Sequence, residues 1–268
     1  TDTASNNIAV GTTALDAITT GDNNIAIGYD ALTLSTTGSQ NTPVGSYSLD
    51  SNTSGDNNTG IGFNTLVAIS SAVANTAVGS YSNWGNQSGD NNTSLGASSM
   101  LDNTTGGNNT ALGYGALANN TTGTNNAAVG YNALEGNLTG ANNSGLGYAA
   151  GDNITTGDSN IIIGASVDAP SATADNQLNI GNTIYGDLST DKIGIGISSP
   201  KTALTVEGAI TLKEQSAADG DTAAYGQLWV KTATPCQLYF TDDAGTDVQL
   251  VAGGASVADI DDLSDALV

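Results

Sequence analysis

Asp242, Asp243 and Asp247 are the obvious carboxylates for a glycosidase, in which one acid protonates the leaving group and a second acts as nucleophile or base. They fall around the turn Asp243-Ala244-Gly245-Thr246, where acids are ordinary turn formers. The chain contains no histidine to serve as a general base. It also has no arginine to clamp an anion, because its four basic residues are Lys192, Lys201, Lys213 and Lys231. The single cysteine, Cys236, lacks a histidine to activate it and a second cysteine to bridge it. Gly194-Ile195-Gly196 lacks the third glycine and the following helix of a phosphate loop. Gly-Asp-Asn-Asn at 21–24, 55–58 and 89–92 is a calcium candidate. Each copy supplies one carboxylate, however, where repeat calcium sites draw several oxygens from each turn. The expectation is a protein with no catalytic residues, no cofactor and no metal.

The elements that carry these residues are set by a repeat. Glycine returns at every seventeenth position: Gly11, Gly28, Gly45, Gly62, Gly79, Gly96, Gly113, Gly130, Gly147, Gly164 and Gly181. Equal intervals without insertion or deletion are the mark of a solenoid, in which a change of length would break the stack. One residue before the glycine stands an aliphatic side chain (Val10, Ile27, Val44, Ile61 and onward). Two before it the residue is small in most coils, as in Ala9, Ala26, Ala77, Ala111 and Ala128. Four before it comes Asn7, Asn24, Asn41, Asn58, Asn75, Asn92, Asn109, Asn126, Asn143 or Asn160. A small residue and often a leucine follow the glycine, as in Ala31-Leu32 and Ala116-Leu117, and then a corner such as Thr36-Thr37-Gly38.

A helical repeat needs a period above about thirty residues, and glycine with Asn-Thr clusters opposes helix. Seventeen residues suit short strands and turns, so the repeat predicts a β-coil, with an all-β fold. Stacked coils rise about 4.8 Å each, which aligns the asparagines as a ladder able to pass amide hydrogen bonds from coil to coil. Alternation along a strand puts the aliphatic position and the one two before it on one face, read as the core with the leucine row. The small-residue row then points the other way. Small side chains permit close backbone approach, so Ala9, Ala26, Ala77, Ala111 and Ala128 are expected at the interface of a homotrimer.

Asn24-Ile25-Ala26-Ile27-Gly28-Tyr29-Asp30-Ala31-Leu32 and Asn109-Thr110-Ala111-Leu112-Gly113-Tyr114-Gly115-Ala116-Leu117 resemble the head repeat of YadA-type trimeric autotransporter adhesins. Similar repeats occur in bacteriophage tail and neck fibres. The resemblance covers residues 5 to about 165 and implies a trimer of parallel β-rolls. It departs in its longer repeat, whose Thr-Thr-Gly corner is enlarged.

Residues 1–175 therefore read as the β-roll shaft and 176–214 as a β neck or collar, with Gly194-Ile195-Gly196 before Pro200 and Leu204-Thr205-Val206. The latter combination is similar to a segment of phage fibres. Residues 215–252 read as a small antiparallel unit with Trp229 and Phe240 in its core. The stretch 253–268 reads as a linker or the start of a helix, with Val257, Ile260, Leu263 and Leu267 at coiled-coil spacing.

A net charge of −22 excludes nucleic acid as a partner and disfavours anionic membranes. No apolar stretch is long enough to span a bilayer, so no membrane insertion is expected. The acids Asp22, Asp56 and Asp90 skip alternate coils and read as solvated charge. The resulting expectation is a homotrimeric virion fibre, joined to other fibre or baseplate proteins and facing a host-surface glycan or protein. The alternative is the head or stalk of a bacterial surface adhesin. Ice binding fits less well, because the threonines sit in adjacent pairs at a corner rather than alternating on a strand.

Overall fold

The computed structural model describes residues 4–210 and the strands at 214–215, 227–231, 237–241 and 247–249. They are all-β, with no helix among the described residues. Ten three-residue strands lie seventeen residues apart, from β1 (Ile8–Val10) and β2 (Ile25–Ile27) to β9 (Ser144–Leu146) and β10 (Ile161–Ile163). They pair in parallel and in sequence order, each residue facing its counterpart seventeen later, as in Thr110↔Ala127 and Leu112↔Val129. The chain is a β-solenoid of seventeen-residue coils. Backbone bonds run both ways between coils, Ile25 donating forward to Asn41 (2.9 Å) and Gly28 donating back to Val10 (2.8 Å).

Each repeat glycine answers a conformational demand. Gly79 has φ +125°, and a Cβ there would lie 2.7 Å from the carbonyl oxygen of Gly96 in the next coil. The leucine position is left-handed too, with φ 53° at Leu117. Leucine, methionine, asparagine or glycine occupies it from Leu15 to Gly151, and never a β-branched residue, which resists this region. The residue before each ladder asparagine is also left-handed, which accounts for the second column Asn23, Asn57, Asn91, Asn108, Asn125 and Asn142.

The two faces of the strand are the reverse of the sequence expectation. Ala26, Ala77, Ala111 and Ala128 are at most 1% exposed inside their own coil, so they are not available to another chain. Ala9 belongs to the same inward row but lies exposed in the first coil. The reason is width. At Gly60 and Gly145 in this row, a Cβ would already meet Ser48 Oγ at 2.6 Å and Leu134 Cγ at 2.8 Å, respectively. A seventeen-residue coil leaves room for a leucine on one wall only if the opposite wall is small. Where the row carries Ile162, the leucine position has become Gly151, whose Cβ would lie 3.2 Å from Ile162 Cγ1. The aliphatic row instead faces outward.

The chain forms two compact units, 1–207 and 208–268. In the first, β11 (Gln177–Ile180) still runs parallel to β10. The direction reverses at Asn182, so that β12 (Ile184–Asp187) and β13 (Lys192–Ile195) are antiparallel, and β14 (Leu204–Val206) then pairs in parallel with β13. Residues 176–207 thus continue the solenoid's own sheet. In the second unit, β16 (Gln227–Lys231), β17 (Gln237–Thr241) and β18 (Asp247–Gln249) form the antiparallel meander read from the sequence. A short β15 (Glu214–Gln215) adds in parallel to β16. Cys236, Asp242, Asp243 and the segment 253–268 lie outside the described residues.

Candidate functional site

The buried asparagines form a working ladder. Asn24 Oδ1 accepts the backbone N–H of Asn41 (2.9 Å), while Asn24 Nδ2 donates to the carbonyl of Gly38 (2.8 Å). The same link to the backbone recurs through Asn126 N–H to Asn109 (2.9 Å) and Asn160 N–H to Asn143 (2.9 Å). It extends to Gln177, whose N–H reaches Asn160 (2.8 Å). The ladder therefore satisfies backbone donors that the coil buries, which otherwise cost about 1–3 kcal/mol each. A second inward column, Asn52, Asn86, Asn103, Asn120 and Asn137, lies seven residues after the glycine. Its members close the corner on themselves, as where Asn86 Oδ1 accepts from Gly89 N–H and Asn86 Nδ2 donates to its carbonyl (2.8 Å each). This column was missed because it is broken: Ile18, Ser35, Ile69 and Ile154 hold the same position in other coils.

The acids also have a structural task. Asp56 Oδ1 accepts the N–H of Ser39 (2.7 Å), Asp90 that of Val73 (2.8 Å) and Asp158 that of Ala141 (2.7 Å), each one coil back. Threonines at the corner bond to the next coil, Thr121 Oγ1 donating to the carbonyl of Leu138 (2.8 Å). Among the described residues no three His, Cys, Asp or Glu side chains gather as a metal site. No described helix is long and apolar enough to cross a membrane.

Electrostatic perturbation falls on a few acids and on Tyr29, which the charge of Asp30 pushes up. Asp152 is pushed above the usual carboxylate range, first by burial and then by its hydrogen bond to Asp168 and the charges of Asp168 and Glu135. Asp50 is pushed up by burial, with Asp30 adding its charge. Hydrogen bonds from Ser189 and Thr190 hold Asp187 down. Burial comes first for Asp152 and Asp50, hydroxyl and backbone hydrogen bonds act on Asp187, and none of these shifts pairs an acid with a base.

The outer surface carries two apolar features. The first is the aliphatic row, with Ile27, Ile61, Leu95, Leu112 and Leu146 exposed, Leu146 by 51%. The second is aromatic. Tyr29, Tyr47, Phe63 and Tyr81 meet edge to face at 5.4–6.1 Å between centroids. Further on, Tyr114, Tyr131 and Tyr148 stack face to face at 5.2 Å.

No family model, curated protein or solved structure matches this chain.

Proposed function

We propose that this chain is the homotrimeric shaft of a bacteriophage tail or neck fibre, a structural part of the virion that takes part in host attachment. The observation that carries the reading is the outward aliphatic row, which repeats in register from Val10 through Ile163. An apolar stripe on the order of 50 Å long is more than a soluble surface leaves bare without a partner. Its period also selects the partner. A surface that rises about 4.8 Å per rung is matched along its whole length only by another surface with that rise. A second and a third copy of this chain have it. The trimer interface moves accordingly from the buried alanines to Ile27, Ile61, Leu95, Leu112 and Leu146.

The test is the mass of the full chain in solution by light scattering, with and without heating in detergent. The expected result is a heat-resistant species of three chains. The double variant Ile61→Asp/Leu112→Asp should remain folded by circular dichroism and lose that species. A wild-type monomer, or a trimer untouched by the double variant, would overturn the proposal.

A further inference from the structure

Two neighbouring coils break the pattern in three ways. Asn83 stands where the neighbouring coils place Leu66 and Met100, and it is fully buried with no partner for Nδ2 or Oδ1. The next residue, Trp84, is one of only two tryptophans in the chain and is 41% exposed. The following coil then carries Ala97 and Ser98, where preceding coils place Tyr29, Tyr47, Phe63 and Tyr81. The aromatic ridge therefore ends at Tyr81, and a shallow, open groove follows it. The groove is lined by Tyr81, Trp84, Ser98, Leu101 and Asp102, with a volume of about 370 Å³.

We propose that this groove is a glycan-binding subsite that takes a neutral pyranose unit. Its volume falls at the small end of ligand sites, about 300–1,000 Å³. Five lining residues are far fewer than the roughly 20–30 that each side of a stable protein interface contributes. The exposed rings of Tyr81 and Trp84 are amphipathic platforms suited to the C–H face of a sugar. The Asp102 carboxylate accepts from sugar hydroxyls, and the Ser98 hydroxyl both donates and accepts. Residues 1–191 hold no basic side chain, so an anionic sugar would meet no counter-charge. A quaternary ammonium group is better served by rings that enclose it than by two on an open groove. The buried, unbonded Asn83 beside Trp84 fits a place where the coil has given up core stability, as functional positions do. The groove belongs to a single chain and does not depend on trimer formation. A monomer that binds sugar would sink the shaft proposal alone, and a trimer that does not would sink this one alone.

Protein labelled with 5-fluorotryptophan gives two ¹⁹F signals, and Trp84→Phe assigns them. The probes are maltotetraose, cellotetraose and chitotetraose, with sialyllactose and choline as charged comparators. At least one neutral tetrasaccharide should move the Trp84 signal saturably and leave the Trp229 signal in place. By calorimetry, Trp84→Ala should weaken that binding about tenfold (~1.4 kcal/mol) or more. Asp102→Asn should weaken it less, and Tyr148→Ala, at a ring far along the rod, should leave it unchanged. The assignment is overturned if no neutral probe moves the Trp84 signal, if choline or sialyllactose binds more tightly, or if Trp84→Ala retains the affinity.

Discussion

Asn109 and Asn83 are both buried in the same solenoid, two coils apart, yet one is bonded at both atoms of its amide and the other at neither. Asn109 Oδ1 accepts from Asn126 N–H and its Nδ2 donates to the carbonyl of Gly123, both at 2.9 Å. Asn83 lies among Ser82, Ser94 and Ser99, whose hydroxyls bond to one another (Ser82 to Ser94 at 2.7 Å and to Ser99 at 3.0 Å) and leave its amide unpartnered. This polar stretch divides the apolar interior into one cluster ending at Ala77 and another starting at Met100. Burial alone therefore says nothing about whether an asparagine supports a coil. What matters is whether its position faces a backbone group that nothing else satisfies.

Removing a bonded rung should cost most. Asn109→Ala strands the N–H of Asn126 and leaves a small void, and it should destabilise the solenoid by about 2–4 kcal/mol in urea unfolding. A cost below the scatter of surface mutants would mean that water or a neighbour takes over the bond. The opposite change at the unbonded site should help. Asn83→Leu restores the side chain of the regular coils and should stabilise by about 1–3 kcal/mol. A loss of stability there would show that the amide finds partners after all. The smallest effect belongs to the acids along the rod. The folded chain raises the Asp152 pKa, so it holds that proton more tightly than the unfolded chain does. This stability is present at acid pH and is lost as pH rises through a window just above the usual carboxylate range. Asp152→Asn should stabilise the fold at pH 7 by well under ~1 kcal/mol, given its solvent exposure, and reduce the gap between acid and neutral melting midpoints. An unchanged gap would place the perturbation elsewhere.

The period, the strands and the meander of β16, β17 and β18 were legible in the residues, because glycine and asparagine recur where the backbone demands them. So was the pairing of positions on one face, as at Ile25 and Ile27. Which face looked inward was not. Alternation says that two residues share a side, and the usual preference for large apolar side chains inside then assigns that side to the core. A coil this narrow inverts the preference: Gly60 fits opposite Leu49, and where the row carries Ile162 the facing position is Gly151. The role of Asp56 and Asp90 was hidden for a different reason. A carboxylate that accepts one backbone N–H from the neighbouring coil has the same sequence signature as one in water. The groove beside Trp84 escaped as well, since it depends on what the next coil lacks, namely a ring at Ala97 or Ser98.

The strict pairing of each residue with its counterpart seventeen later also governs how this rod can change in size. Removing any seventeen consecutive residues from the regular stretch rejoins two ends that already share a rung, and every remaining contact finds an equivalent neighbour. The same cut one residue longer or shorter would turn all following side chains out of register. Reach is therefore an integer, counted in steps of about 4.8 Å. Duplication or loss of whole coils can lengthen or shorten the span without any redesign of the parts at either end.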